Sequence, residues 1–184
     1  MRQHHDDFMQ ILLGISGGIA AYKTPEVVRA LVAAGHQVRC VLTENAAQLV
    51  APQALVTVSG NPVYDSLWSQ DGRIPHIETV RWCDLLLVAP ATANLLAKCA
   101  LGLADDLLST GFLALEPDKP CIMAPAMNTV MWNKPIVQQH LATLKAQGVH
   151  MVDPVSGNLA CGEEGIGAMA SVDGLVAAVQ EHAQ

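Results

Sequence analysis

Five short runs constrain this chain more than anything else in it: QILLGI (10–15), QVRCVL (37–42), DLLLVA (84–89), PCIMA (120–124) and VHMVD (149–153). Each reads as a strand, and several are too uniformly apolar to have one wet face. A strand buried on both sides belongs to a parallel sheet covered by helices, and parallel neighbours need long crossover connections. The segments between the runs are amphipathic and long enough. TPEVVRALVAAG has the punctuation of a helix, with Pro25 near its start and Gly35 at its end. The alternation predicts an α/β fold: a single doubly wound, mostly parallel sheet with helices on both faces, Rossmann-like, over residues 10–184. The polar, acidic stretch over residues 1–9 reads as a loose tail.

With 184 residues, 51% of them hydrophobic and 15% charged, the chain suits one domain with a full core. Its formal charge of −7 excludes a nucleic-acid binder and a basic membrane-surface protein, both of which present Lys and Arg to phosphate. Any bound phosphate must be held largely by backbone donors. No apolar run reaches the length of a membrane span, and the N-terminus lacks the basic start of a signal peptide. The five cysteines, 40, 83, 99, 121 and 161, have no metal-type spacing, and an odd number does not close a disulfide framework. A reducing cytoplasm and no metal are expected.

In an open α/β sheet the ligand lies beyond the carboxyl ends of the strands, so the residues following each strand are the informative ones. After the first comes GISGGIAAYK, a Gly/Ser turn opening into a helix, able to offer backbone N–H groups and the Ser16 hydroxyl to a phosphate at the helix N-terminus. The GxGxxG spacing is missing. No acidic residue ends the second strand to hold an adenosine ribose; Thr43 and Asn45 in TENA suit a phosphate or a polyol instead, which implies a mononucleotide. The third and fourth strands end in Pro90 and Pro125, each followed by an Asn near a helix start, Asn94 and Asn128, as a helix cap or as a ligand group. His76, just before the third strand, can exchange a proton near neutral pH. The glycine-rich stretch over about 154–170 reads as an irregular functional flap or as a surface loop.

Taken together, SGGIAAYK, HIE, PATAN, PAMNTVMW and LACGEEGIGAM resemble the homo-oligomeric flavin-containing cysteine decarboxylases, in this order and from about Gln10 to the last helix. Within that family the chain looks most like the members that convert 4'-phosphopantothenoylcysteine to 4'-phosphopantetheine in coenzyme A biosynthesis. The resemblance implies an FMN cradled by Ser16, Gly17, Gly18, Ile19, Thr43, Glu44, Asn45, Thr92, Ala93, Asn94, Leu95 and Ala126. It implies substrate contacts from Met127, Asn128, Asn158, Leu159 and Ala160, a base at His76, and a proton donor at Cys161 in a clamp over about 154–170. Family members are trimers, some gathered into dodecamers, with FMN at the subunit interface, so His76 is expected to act on a flavin held mainly by a neighbour.

The chemistry explains why a flavin is needed. A cysteinyl carboxylate cannot leave as CO2 directly, because the α-carbanion has no electron sink. Oxidation of the thiol-bearing carbon to a thioaldehyde supplies one, decarboxylation then yields an enethiol, and return of hydride with protonation gives the thiol product.

The chain departs from the family pattern at Leu95, where many relatives have Thr, and at Ala168, where many bacterial members have Arg. The first removes a hydroxyl near the flavin and the second a cation from the clamp. The sequence ends with GLVAAVQEHAQ and leaves no room for the synthase domain fused to many bacterial relatives, so a stand-alone decarboxylase or a domain cut from a larger protein is expected. Three related readings remain: a peptidyl-cysteine decarboxylase that forms a C-terminal enethiol, a flavin prenyltransferase, and a flavin-binding regulatory subunit without turnover. LACG argues against the first, leaves the second without a use for its cysteine, and the third usually carries acidic extensions.

Overall fold

The computed structural model describes residues 8–69, 74–158 and 164–183. Six parallel strands form the central sheet: β1 (Gln10–Ile15), β2 (Gln37–Leu42), β3 (Val63–Tyr64), β4 (Leu85–Ala91), β5 (Cys121–Pro125) and β6 (His150–Met151). Their order is β3-β2-β1-β4-β5-β6. The chain runs outward from β1 to β3, crosses back to β4, and continues outward on the other side. The order therefore reverses between β1 and β4, and at such a switch point the flanking connections diverge and leave a crevice.

Crossovers α1 (Thr24–Ala33), α2 (Pro52–Ser59), α3 (Pro75–Trp82), α4 (Ala93–Leu101), α5 (Leu107–Leu113), α6 (Thr129–Trp132), α7 (Pro135–Ala146) and α8 (Val172–Gln180) cover the sheet. The strands divide their side chains by parity. Ile11, Leu13 and Ile15 of β1 join Val27 and Leu31 of α1 and Leu175 and Val179 of α8 in one cluster. Leu12, with Leu86 and Val88 of β4, joins Leu96 of α4, Leu108 of α5 and Leu141 of α7 in the other. Each fully buried Leu or Ile contributes about 1.5–3 kcal/mol, which holds the carboxyl edge on a rigid base. Gly14 faces α5, where a Cβ would collide with the Leu108 side chain, so the glycine lets that helix lie close to β1.

The parallel sheet and its five expected strands are present, the first two with the expected ends and the other three with ends shifted by one or two residues, and the short edge strand β3 adds a sixth. Other expectations need correction. Met9, read as tail, is 7% exposed and packs in the core, and its carbonyl accepts from Gln37 N at 3.0 Å. His76 stands in the first turn of a helix, α3, with Cys83 and Asp84 between that helix and β4. The 154–170 stretch is not wholly irregular: β7 (Val155–Asn158) and β8 (Glu164–Ala168) pair antiparallel. Ser156, Gly157, Gly165 and Gly167 hide the strand pattern in sequence because glycine and serine are poor strand formers. Among the described residues no helix is long and apolar enough to cross a membrane.

Candidate functional site

A cleft of about 840 Å³ opens at the carboxyl edge around the switch point. That volume lies within the roughly 300–1,000 Å³ usual for small-molecule sites. Its walls come from the loops after β1, β2, β4 and β5 and from the end of β8.

The loop after β1 places Ser16, Gly17, Gly18 and Ile19 on the cleft. The sequence leads one to expect the Ser16 hydroxyl to face a ligand, but the side chain is 2% exposed and its bonds go to protein. Its Oγ donates to the Pro90 carbonyl at 2.8 Å, accepts from Thr92 N at 3.0 Å and lies 3.1 Å from Thr92 Oγ1. The residue clasps the β1 and β4 loops together. The expected helix N-terminus is also different: a 3-10 turn, Ile19–Lys23, follows Gly18, and α1 begins only at Thr24. Gly17 is required by close approach, since a Cβ there would overlap the Asn45 side chain in the loop after β2. A Cβ on Gly18 would meet Thr92 Cγ2 at 3.1 Å.

Thr43, Glu44 and Asn45 form the next wall. Among the described residues the Thr43 hydroxyl and the Asn45 amide have no protein partner, which leaves both to a ligand. The Glu44 and Asn45 side chains are exposed.

At the end of β4 the register shifts between Val88 and Ala91, bringing Ala91 opposite Pro125 of β5. A bulge of this kind re-aims a chain beside a site. Thr92 is the N-cap of α4, its Oγ1 accepting from Leu95 N at 3.3 Å, so Asn94 is not the cap and its exposed amide borders the cleft with Ala93. Leu95, 1% exposed, gives the cleft an apolar floor where a Thr would have placed a hydroxyl.

Asn128 does cap its helix. Its Oδ1 accepts from Val130 N at 2.7 Å and Met131 N at 3.4 Å. The amide oxygen can only accept, so the donor capacity of this side chain resides in Nδ2. Ala126, Met127 and Met131 line the cleft beside it, while Met127 and Trp132 pack on the core. The β8 strand is fastened to this loop: Met127 N donates to the Gly167 carbonyl at 2.9 Å, and Thr129 Oγ1 to the Ile166 carbonyl at 2.8 Å. Gly167 has φ +151°, and a Cβ there would overlap the Met127 carbonyl oxygen. Ala168 faces the cleft.

Asn158 ends β7, whereas Leu159, Ala160 and Cys161 lie outside the described residues. His76 does not line the cleft. Its Nδ1 is buried without a hydrogen-bond partner among the described residues. Cys40, Cys83, Cys99 and Cys121 are buried free thiols. Burial pushes Cys40 and Cys99 up to about 12 and Cys83 to about 11, so none is a ready nucleophile.

Sequence reasoning missed Tyr22, Lys23, Lys98, Asp105 and Asp106, which also line the cleft. Lys98 Nζ pairs with Asp105 Oδ1 at 2.6 Å and Asp106 Oδ2 at 2.8 Å. Burial pushes the Asp106 carboxyl up, but the Lys98 bond and the Ser109 N–H and hydroxyl outweigh it and hold the group below its ordinary value. Lys23 closes the GISGGIAAYK stretch that leads out of β1, and that position was the available signal for it.

The chain matches the family model described as Flavoprotein over residues 1–184. It is 42% identical over 173 residues to the coenzyme A biosynthesis bifunctional protein CoaBC of Haemophilus influenzae, covering 93% of this chain and 43% of that protein. The chain thus spans less than half the length of such bifunctional relatives. It is 41% identical over 174 residues to the probable phosphopantothenoylcysteine decarboxylase of Streptococcus mutans, covering 94% of this chain and 97% of that one. Among solved structures, a PPC decarboxylase mutant complexed with pantothenoylaminoethenethiol superposes with TM-score 0.87 and 35% identity, covering 94% and 97% of the two chains. The FMN-binding protein AtHal3 gives 0.83 and 34%, covering 95% and 96%.

Proposed function

The chain belongs to the flavoprotein family, and from that premise we propose that it is an FMN-dependent lyase decarboxylating 4'-phosphopantothenoylcysteine to 4'-phosphopantetheine in coenzyme A biosynthesis. The observation that carries the reading is the cleft itself, where a glycine cradle against Asn45 and an apolar floor stand beside the Asn128 loop at the switch point. These residues fit a flavin mononucleotide. The loop after β1 is close-packed by Gly17 and Gly18, Thr43 and Asn45 offer polar groups suited to a phosphate or ribityl chain, and Leu95 and Ala126 present apolar surface to a ring system.

The bound flavin supplies the hydride acceptor and donor that make the carboxylate departable and then restore the saturated product. Asn128 holds the substrate carboxylate through Nδ2 while its Oδ1 keeps the helix cap, so positioning and loop stability reside in one side chain. Met127 and Met131 exclude water around that carboxylate, which favours its loss as neutral CO2. His76 removes the substrate thiol proton. Because it does not line the cleft of its own chain, it acts from a neighbouring copy in a homo-oligomer, trimer or dodecamer, whose interface completes the site. Cys161, carried by the clamp between β7 and β8 with Asn158, Leu159 and Ala160, protonates the enethiol as it is reduced. The reaction takes place in the cytoplasm.

The test is the mass change of 4'-phosphopantothenoylcysteine incubated with the purified yellow protein. Loss of CO2 alone is expected. Loss of CO2 plus two hydrogens identifies an enethiol-forming enzyme and overturns the reading, as does a substrate left intact. Cys161→Ser divides the two halves of the reaction: serine is a far weaker acid, so this variant should release the species lighter by two hydrogens and retain bleached flavin. Ordinary product from it at the normal rate removes the donor role.

A further inference from the structure

The cleft is poor in positive charge for a site taking phosphorylated ligands. Its lining includes two cations, Lys23 and Lys98, and three carboxylates, Glu44, Asp105 and Asp106, in a chain with formal charge −7. Lys98 is committed, its ammonium held by Asp105 and Asp106 at 2.6 and 2.8 Å. Lys23 is not: among the described residues no carboxylate lies within ion-pair distance of it, and its neighbour is the exposed ring of Tyr22, 5.8 Å from Nζ to centroid. A cation over an exposed ring at that distance is weakly held, and its N–H donors remain available.

The backbone beneath Lys23 is fixed. It closes the 3-10 turn and precedes Thr24, which is fully buried and donates from Oγ1 to the Ala21 carbonyl at 2.7 Å. The residue is half-buried and faces the cleft, so a point charge on a flexible arm rises from a rigid base. The clamp offers no cation at position 168, where Ala168 lines the cleft.

We infer that Lys23 is the charge by which this cleft recognises a phosphate monoester. The inference rests on the reading that the cleft holds a flavin mononucleotide and a phosphorylated substrate, and either can supply the phosphate. Lys23 makes an ion pair with the phosphate oxygens, while Lys98, neutralised by two aspartates, braces the start of α5.

The experiment measures binding of FMN and riboflavin to wild-type, Lys23→Gln and Lys23→Arg apoprotein by quenching of flavin fluorescence, with circular dichroism to check folding. In parallel, kcat/KM is measured for 4'-phosphopantothenoylcysteine and for pantothenoylcysteine. Removing one charge-assisted hydrogen bond to a ligand costs about tenfold or more in affinity. If Lys23 reads the flavin phosphate, Lys23→Gln weakens FMN by that factor and leaves riboflavin unchanged. If it reads the substrate phosphate, KM rises for the phosphorylated substrate alone. Lys23→Arg reverses the selective loss in either case. Equal losses for phosphorylated and unphosphorylated forms, or no loss, overturn the inference and leave Lys23 as a residue that merely favours the end of its turn. A protein that favours FMN through Lys23 but does not decarboxylate keeps the inference and removes the proposed reaction.

Discussion

The two sides of the cleft begin alike and end differently. Both β4 and β5 run into a proline, then an alanine, then a short polar helix start: Pro90-Ala91-Thr92 and Pro125-Ala126-Met127-Asn128. On the β4 side the cap is Thr92, and its hydroxyl, with that of Ser16, is spent inward on the protein. On the β5 side the cap comes one residue later and is an amide, which secures the helix through Oδ1 and carries a donor, Nδ2, at its other end. The first wall is welded to the core, Ser16 and Leu95 being 2% and 1% exposed. The second is fastened to a hairpin through Met127–Gly167 and Thr129–Ile166. One side of the same sheet edge is thus fixed by the core, whereas the other takes its position from the hairpin.

The largest effect should come from neither wall. His76→Asn is expected to lower kcat by about 10²- to 10⁴-fold with flavin retained, the usual contribution of a positioned base. Because His76 lies off the cleft, refolding a mixture of His76→Asn and Asn128→Asp chains should recover part of the activity; wild-type-like turnover by His76→Asn itself would remove it from the chemistry. Asn128→Asp should lower kcat/KM by about 10- to 100-fold, the loss of a hydrogen bond to a charged group compounded by a like charge beside the carboxylate. Its melting temperature should stay near wild type, since Asp caps as well as Asn, whereas Asn128→Ala should also lose about 1 kcal/mol of stability. Near-normal turnover by Asn128→Asp, with only Asn128→Ala destabilised, would make position 128 a cap and nothing more.

Changes in the supports are smaller. Gly167→Ala should destabilise by about 1–3 kcal/mol and speed amide exchange at Met127, because the added carbon meets the Met127 carbonyl and φ +151° is costly for a side chain. Ser16→Ala should cost about 1–2 kcal/mol by leaving Thr92 N and the Pro90 carbonyl under-satisfied. FMN and riboflavin should then weaken together; a loss confined to FMN would return the Ser16 hydroxyl to the role of phosphate ligand.

An effect confined to alkaline pH concerns the buried thiols. Cys40 and Cys99 stay neutral to about 12 in the fold, whereas a thiol in the unfolded chain ionises near the ordinary value of 9.0. The unfolded state therefore binds fewer protons in that interval, and stability should be intact below pH 9 and decline as pH rises toward 12. At pH 8, alkylation of these two, Cys83 and Cys121 should follow unfolding; rapid labelling of the native protein at Cys40 would contradict their burial.

Much of this was legible in the sequence because it is local or periodic. Uniformly apolar runs such as DLLLVA can only be strands covered on both faces, and Pro25 and Gly35 bracket a helix wherever it packs. The family motifs pointed to the loops that the structure brings to one edge. What the sequence could not decide is which polar atoms at that edge are already engaged. The Ser16 hydroxyl is used up by a bond to a residue 74 positions away, and Lys98 is neutralised through a turn that only the fold closes. Glycines 165 and 167 looked like freedom in a loop and are instead the clearance that lets β8 lie against Thr129 and Met127. Side-chain type and spacing are properties of the chain, but hydrogen-bond partners and steric clearance at a cleft belong to segments far apart in sequence, and their meeting exists only in the packed tertiary structure.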